Sequence, residues 1–157
     1  MKRLHIHLNV SDLDRSVAFY SGLLGEAPGV VKADYARWMI EELAVNFAIS
    51  HRACGEPGVS HLGLQAGDEA DLARIEERLA AASGPIEDEG ETTCCYARSR
   101  KSWTADPDGV LWEAFLTHGE SESFGAEPEL SRLKTADGQS AAASSCCAGA
   151  APTGEAR

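Results

Sequence analysis

The chain has 157 residues, of which 43% are hydrophobic, and a formal net charge of −11 at pH 7. That length suits one domain, or two small half-domains that share a core, and the negative charge disfavours nucleic acid and anionic membranes as partners. No apolar run approaches the roughly 20 residues of a membrane span. The N-terminus enters a strand-like pattern without the apolar region of a signal peptide, so we expect a cytoplasmic protein with reduced thiols.

The first half of the chain predicts the element order β-α-β-β-β. Alternating apolar residues over 4–10 indicate a strand. A helix follows, with Ser11 as its N-cap and Gly25 as the residue that ends it. Short apolar runs then indicate three strands, near 29–32, 35–40 and 43–50.

After a linker over 51–58, the same order begins again. The pattern predicts a strand over 59–66 and an amphipathic helix over 68–82, whose acidic first turn suits the helix dipole. Strands are expected near 86–89, over 93–99 or slightly longer, and over 110–117, with the turn Asp106-Pro107-Asp108-Gly109 before the last of them. The two halves therefore form an internal repeat.

The repeat defines one predicted folded domain, over 1–125, with modules at about 1–51 and 59–118. Beyond it the composition changes, since residues 135–157 are mostly Ala, Gly and Ser and include no aromatic residue and no aliphatic residue larger than Ala. Such a segment buries too little apolar surface to offset its conformational entropy. We therefore expect 126–157 to be a flexible, mostly disordered tail.

Four polar residues stand at related positions of the two halves. Alignment of the repeat places His5 opposite His61, and Asn46 opposite Glu113. A buried lone carboxylate is costly unless it is paired or bound to a metal. Two histidines with one carboxylate form the facial triad that is typical of non-haem Fe(II), with open positions for water, oxygen or substrate. The pattern therefore predicts a metal site at His5, His61 and Glu113.

Other interpretations of these residues stay open. His7 lies on the same face of its strand as His5 and competes with it as a ligand. Glu113 could instead pair with Arg98 or Lys101. A single histidine in a strand is more often a core or surface residue than a metal ligand.

The five cysteines comprise Cys54 and two adjacent pairs, Cys94-Cys95 and Cys146-Cys147. No Cys-x-x-Cys occurs, which excludes zinc-ribbon and thioredoxin patterns. Neighbouring side chains on a strand point to opposite faces, and adjacent cysteines do not form an ordinary structural disulfide. Two adjacent thiols can instead chelate a soft, thiophilic centre; the alternative is a buried cysteine beside a chance neighbour. Cys54 is either a third thiolate or a chance linker cysteine.

Three stretches carry a resemblance to a known superfamily: His5-x-x-Leu8-x-Val10-x-Asp12-Leu13-x-x-Ser16-x-x-Phe19-Tyr20, then Leu23-Leu24-Gly25, and Asp106-Pro107-Asp108-Gly109-x-x-x-Glu113. They resemble the vicinal-oxygen-chelate superfamily, which includes glyoxalase I, extradiol dioxygenases and bleomycin and fosfomycin resistance proteins. The resemblance covers 4–117 and implies an α+β fold in which two βαβββ modules form a half-barrel. It also implies metal ligation by His5, His61 and Glu113.

The same resemblance bears on the reaction and on assembly. Asn46 stands where glyoxalases usually have a fourth metal ligand, which counts against glyoxalase chemistry. Chains of this superfamily often dimerise, so a homodimer is one expectation.

Within that superfamily, Thr93-Cys94-Cys95-Tyr96-Ala97, Lys101-x-Trp103 and Trp112-Glu113 resemble one branch, the C–As lyases and the cadmium-induced proteins close to them. The resemblance implies that Fe(II) and dioxygen cleave the carbon–arsenic bond of a trivalent organoarsenical, such as methylarsonous acid or a reduced aromatic arsenical. Inorganic arsenite is released, which would give resistance to organoarsenicals. The alternatives are a cadmium- or arsenite-binding protein of the same fold, and another glyoxalase-like lyase or resistance protein.

On this interpretation Cys94 and Cys95 bind arsenic, because trivalent arsenic is soft and prefers thiolates. Accessory roles fall to four residues. The positive charge of Lys101 would lower the thiol pKa, and Tyr96 would line the pocket or bind oxygen species. Cys146 and Cys147 would capture arsenic from solution, because a flexible tether raises local concentration.

Overall fold

The computed structural model describes residues 1–51, 56–82 and 86–125, together with residues 130 and 133. The elements are β1 (Arg3–Asn9), α1 (Leu13–Leu24), β2 (Val30–Lys32), β3 (Tyr35–Ile40), β4 (Val45–Ser50), β5 (Gly58–Gln65), α2 (Glu69–Ala82), β6 (Glu87–Cys94), β7 (Ala97–Ala105) and β8 (Leu111–Glu120). The predicted order β-α-β-β-β therefore occurs twice and is confirmed. Neither helix is long and apolar enough to cross a membrane.

All eight strands form one sheet, in the order β2-β3-β4-β1-β5-β8-β7-β6. Within each module the first strand pairs in parallel with the last, β1 with β4 and β5 with β8. The modules join through the antiparallel pair β1–β5 at the centre. The sheet curls into the half-barrel of the predicted α+β fold, and this prediction is confirmed as well.

The two faces of the sheet differ because side chains alternate along each strand. One face packs against the helices through two clusters, Ala36, Trp38, Ile40, Phe47 and Ile49 under α1, and Ala66, Leu72, Ile75, Ala114 and Leu116 under α2. The intervening residues of the same strands line the concave face. Several of these are polar and nevertheless buried.

The start of α1 differs from the prediction. Asp12, not Ser11, is the N-cap, with extended backbone angles and a carboxylate that accepts the Arg15 backbone N–H at 3.0 Å. An aspartate at this position satisfies a free N–H and also complements the helix dipole. Gly25 ends the helix in the left-handed conformation, at φ 75°, as predicted.

The expected strand over 93–99 is wrong, because a two-residue turn at Cys95 and Tyr96 interrupts it. β6 ends at Cys94, which pairs with Ala97 at the start of β7. Cys95 and Tyr96 have φ values of 57° and 60°, which is the backbone of a type I′ hairpin turn. Such turns usually contain Asn or Gly, so composition gave no sign of it.

The other turn of this module follows the prediction. A carboxylate oxygen of Asp106 accepts the backbone N–H groups of Asp108 and Val110, and Gly109 adopts φ 82°. Cys54, Cys146 and Cys147 lie outside the described residues, as does the predicted tail 126–157 apart from residues 130 and 133.

Candidate metal and thiol site

The predicted metal ligands come together on the concave face, on either side of the β1–β5 seam. In the antiparallel β1–β5 pairing, His5 pairs with Gly63 and His7 pairs with His61. Gly63 pairs on its other side with Glu113 of β8. His61 lies two residues before Gly63 on β5, so both positions lie on the same face of that strand. His61 therefore points toward the same site as His5 and Glu113.

Gly63 allows the glutamate to reach across the central strands. A Cβ atom at this position would lie 2.6 Å from Cγ of Glu113 and 2.8 Å from its carbonyl oxygen, where no side chain fits. In the space left open, Oε1 of Glu113 approaches Nε2 of His5 at 3.4 Å and Nε2 of His61 at 3.6 Å. The glycine thus shapes the place where a carboxylate and two imidazoles converge.

Glu113 also forms a buried ion pair. Its Oε2 accepts a hydrogen bond from Nζ of Lys101 at 2.8 Å, and the two residues are only 2% and 5% exposed. Burial alone raises the pKa of Glu113, but the ammonium group and the His61 side chain lower it by more, so that this pKa lies well below its usual range. Arg98, the other partner weighed from sequence, is exposed.

His5 and His7 are neutral at pH 7. Burial lowers the pKa of His5 to about 4 and holds that of His7 well below its usual range. Nδ1 of His5 lies 2.9 Å from the backbone carbonyl oxygen of Asn46. Because a carbonyl oxygen only accepts, Nδ1 carries the proton and Nε2 presents a lone pair toward Glu113. Neutral imidazole with a free lone pair is the form that binds metal.

The donor set fits a divalent transition metal. His5, His7 and His61 each offer a nitrogen, and these atoms all lie within 4.8 Å of one another. Nδ1 of His7 and Nε2 of His61 are buried and have no hydrogen-bond partner within the described ranges. Buried polar atoms without partners are uncommon and indicate a missing ligand or ion. Three imidazoles beside a carboxylate are suitable ligands for such an ion.

The adjacent thiols stand at the tip of the β6–β7 hairpin. Sγ of Cys94 lies 3.1 Å from Sγ of Cys95, and neither forms a disulfide. A hydrogen bond from Cys95 lowers the pKa of Cys94 to about 7, against burial and with help from the Lys101 ammonium. The same hydrogen bond, and burial, raise the pKa of Cys95 well above its usual range. One thiolate is therefore shared by the pair near neutral pH.

Lys101 connects the thiols electrostatically with the carboxylate. Burial lowers the pKa of Lys101, but the negative charges of Glu113, Cys94 and Cys95 raise it by more, so its ammonium stays charged. The ammonium also lies over the rings of Trp103 and Phe115. Lys101 is thus a buried counter-ion of Glu113 whose charge also acts on the thiols.

Tyr96 holds the thiol-bearing turn against the other module. Its hydroxyl donates to Oδ1 of Asp34 at 2.6 Å, at the β2–β3 turn, and its ring lies 5.8 Å from that of Tyr35. The two hairpin tips thereby meet across one end of the half-barrel. A cavity of about 240 Å³ opens beside them, lined by Gly29, Val30, Val31, Lys32, Arg37, Cys95, Tyr96, Glu120 and Ser121.

Sequence and structure comparisons agree with this architecture. The profile of the Glyoxalase/Bleomycin resistance protein/Dioxygenase superfamily matches residues 2–114. The "Trivalent organoarsenical cleaving enzyme" of Bacillus sp. (strain MD1) is 39% identical over 131 residues, which cover 82% of this chain and 81% of that protein. The "Cadmium-induced protein CadI" of Mycobacterium bovis is 32% identical over 154 residues, 98% of each chain.

A solved structure shares the fold at low sequence identity. The Mn(II)-bound glyoxalase from Novosphingobium aromaticivorans matches with a TM-score of 0.52 and 18% identity, over 85% of this chain and 45% of that one. On the profile match, the curated relatives and the two-module sheet, the chain belongs to the glyoxalase/bleomycin resistance protein/dioxygenase superfamily.

Proposed function

We propose that the chain is a non-haem Fe(II)- and dioxygen-dependent lyase. It would cleave the carbon–arsenic bond of trivalent organoarsenicals, such as methylarsonous acid and reduced aromatic arsenicals, and release arsenite. One observation carries the proposal: the half-barrel combines a buried carboxylate that faces two histidines and pairs with Lys101 with a pair of adjacent free thiols. The relative from Bacillus, named for cleaving trivalent organoarsenicals, supports the same reaction.

In this proposal His5, His61 and Glu113 hold the metal ion. Their two imidazoles and one ionised carboxylate match the two-histidine, one-carboxylate ligand set of non-haem iron. Bound Fe(II) with dioxygen would supply the oxidising chemistry at the carbon–arsenic bond. The backbone carbonyl oxygen of Asn46 fixes the ring of His5. Lys101 binds one carboxylate oxygen of Glu113, and the other oxygen faces the histidines.

The thiol pair would hold the arsenical. Each thiol forms a sulfur–arsenic bond and displaces one hydroxide of methylarsonous acid. That hydroxide leaves as water with the thiol proton, and the carbon–arsenic bond is kept. The thiolate shared by Cys94 and Cys95 starts this exchange near neutral pH. Binding then keeps the carbon–arsenic bond close to the histidine and carboxylate cluster, which is catalysis by proximity.

Accessory roles follow from position. Tyr96 would keep Cys95 in place through its hydrogen bond to Asp34. Cys146 and Cys147 would capture arsenic on a flexible segment, so truncation after residue 125 is expected to keep turnover at saturating substrate and to weaken capture at low substrate. Complete loss of turnover in the truncated chain would contradict that role.

The protein would act in the cytoplasm, where thiols stay reduced, as a monomer or a homodimer.

The proposal is tested by reconstitution with Fe(II) under argon, followed by dioxygen and methylarsonous acid. Released arsenite and dioxygen consumption are measured together. We expect both to appear in the parent and both to be lost in His61→Ala, while Cys94→Ser and Cys95→Ser keep iron and lose turnover. Turnover in either serine variant that matched the parent would remove the arsenic-binding role.

A second candidate function is binding of cadmium or arsenite without turnover. It is favoured by the match to a cadmium-induced protein over nearly the whole of both chains. The same experiment separates the two functions. A binding protein would bind arsenite or Cd(II) through its thiols, and it would consume no dioxygen when methylarsonous acid is added.

A further inference from the structure

One buried histidine beside the triad is not used by the proposed reaction. His7 lies two residues beyond His5 on the same face of β1, directly opposite His61, and is 3% exposed. We propose that His7 is a third imidazole ligand of the metal, bound through Nδ1, and that Ser50 and Asn9 position it for this role. The inference rests on the metal site of the proposed function, and it adds a ligand and two positioning residues to it.

The hydrogen bonds around His7 determine which nitrogen is available. Nε2 of His7 lies 2.9 Å from Oγ of Ser50, and Ser50 donates its only hydroxyl proton to Oδ1 of Asn9 at 3.3 Å. Ser50 can therefore only accept from His7. The proton of the neutral imidazole must then be on Nε2, which leaves the lone pair on Nδ1.

That lone pair has no partner among the residues described. Nδ1 of His7 is fully buried and forms no hydrogen bond there. A histidine with a purely structural role would bond both nitrogens, because an unpaired buried acceptor costs free energy. A metal ion beside His5 and His61 would satisfy it, since the three residues each bring a nitrogen within 4.8 Å of the others.

Neighbouring rings also hold the imidazole of His7 in this orientation. It packs against the ring of Tyr35, with centroids 6.0 Å apart, and against that of His61 at 4.7 Å. Ser50, 1% exposed, belongs to β4, which pairs in parallel with β1 and brings Ser50 opposite Asn9. The serine and asparagine thus act as the outer partners that fix a ligand's tautomer and orientation. With His7 bound, the site has three imidazoles and a carboxylate, and one open position fewer than the triad alone.

Asparagine and glutamine at position 7 distinguish the two nitrogens of His7, because their side chains differ in length. The amide of asparagine lies near the position of Nδ1, whereas the longer glutamine amide reaches the position of Nε2. Fe(II) affinity is measured under argon by competition with a chelator on the full chain. We expect His7→Gln and His7→Ala to lose roughly 10–100-fold in affinity, and His7→Asn to lose clearly less. Equal affinity of parent and His7→Ala would overturn the proposal, as would glutamine replacing histidine better than asparagine.

Nitrogen NMR on the parent chain keeps the test independent of whether the variants fold. With ¹⁵N-labelled histidine and Zn(II) as a diamagnetic probe, Nδ1 of His7 should take the shift of a metal-bound nitrogen while Nε2 keeps its proton. Ser50→Ala should mix the two tautomers of His7 in the metal-free protein. A His7 spectrum unchanged by Zn(II) would overturn the proposal.

The outcome is separable from that of the proposed function. A parent that binds Fe(II) through His7 but leaves methylarsonous acid intact would contradict the lyase and keep the ligand. A parent that cleaves the arsenical while His7→Ala binds iron normally would keep the lyase and remove the ligand.

Discussion

The two modules share one topology and carry different chemistry. Where β4 lies beside β1, the first module places Asn46 opposite His5, and the Asn46 amide donates to Gln65 at 3.1 Å. Where β8 lies beside β5, the second module places Glu113 opposite Gly63, and its carboxylate meets Lys101 and two histidines. At matched positions, one copy of the repeat therefore forms neutral amide contacts and the other a buried charge cluster.

The hairpins at the outer ends of the sheet differ in the same way. The β2–β3 turn supplies an acceptor, Asp34, whereas the β6–β7 turn supplies two thiols and the donor Tyr96. The first module thus contributes His5, His7 and a support for the opposite hairpin tip, and the second contributes His61, the carboxylate, the cation and the thiols. The symmetry of the fold thus sets where polar residues lie, while the residue type at each position decides what they can bind.

Glu113→Gln is expected to have the largest effect on this asymmetry. It makes the second module resemble the first, removes a metal ligand and leaves the Lys101 charge buried without its partner, which costs about 3–5 kcal/mol of folding stability. Urea unfolding and iron content measure the two effects. Glu113→Gln combined with Lys101→Met should recover much of the stability and none of the iron. Iron bound at parent affinity in the double variant would contradict the role of Glu113.

Gly63→Ala tests the space that only the second module needs. The new Cβ would lie 2.6 Å from Cγ of Glu113, so the carboxylate must move, and we expect roughly a 10-fold or larger loss of Fe(II) affinity. Gly22→Ala in α1 is the matched control, because nothing lies within 4 Å of its added Cβ and alanine favours a helix by roughly 0.5–1 kcal/mol. Equal affinity in the Gly63→Ala variant would show that Glu113 reaches the histidines in another way.

The thiol hairpin should react as a neutral-pH thiolate. With Cys54, Cys146 and Cys147 replaced by serine, alkylation of Cys94 by iodoacetamide should rise with pH and level off above a midpoint of about 7, in place of the usual 9.0. The thiolate fraction grows as pH passes the pKa, and only the thiolate attacks. Cys95→Ala removes the hydrogen bond that lowers this pKa and should move the midpoint upward. A midpoint that stayed at 7 would assign the shift to Lys101 instead.

Tyr96→Phe should have the smallest effect, on the contact between the hairpin tips. Loss of the hydrogen bond to Asp34 costs about 0.5–1.5 kcal/mol. It also frees a turn whose positive φ angles at non-glycine residues are themselves unfavourable by about 1–3 kcal/mol each. Arsenite affinity, measured by quenching of tryptophan fluorescence, should fall a few-fold. Lys32→Met, which keeps this hydrogen bond and removes only the cation above the ring, is the control and should bind like the parent.

Much of the fold was accessible from sequence because its signals are local. Apolar periodicity, Gly25 and the Asp106–Gly109 turn predicted both modules nearly to their ends. The thiol hairpin was missed, since Cys95 and Tyr96 are not turn residues and adopt their angles through contacts with a strand hairpin far away in sequence. The N-cap was missed by one residue because Ser11 and Asp12 are both good caps.

The site was predictable in its ligand types and less so in its register. Periodicity of two places His5, His7 and Glu113 on a face but does not fix which residues lie opposite one another. Gly63 gave no chemical signal, since its role is to lack a side chain beside Glu113. The burial of Lys101 was equally inaccessible, because a charged residue in a strand is usually solvated and only its distant partner makes it internal.

The seam between β1 and β5 has one more consequence. Among the strands of the described residues, β1–β5 is the pairing that joins the two modules, and His5, His61 and Glu113 are drawn from both of them. An ion bound by these three residues would link the two modules across the β1–β5 pair. Its binding free energy would add to the stability of the folded chain, so removal of the metal would lower the free energy of unfolding as well as the proposed activity.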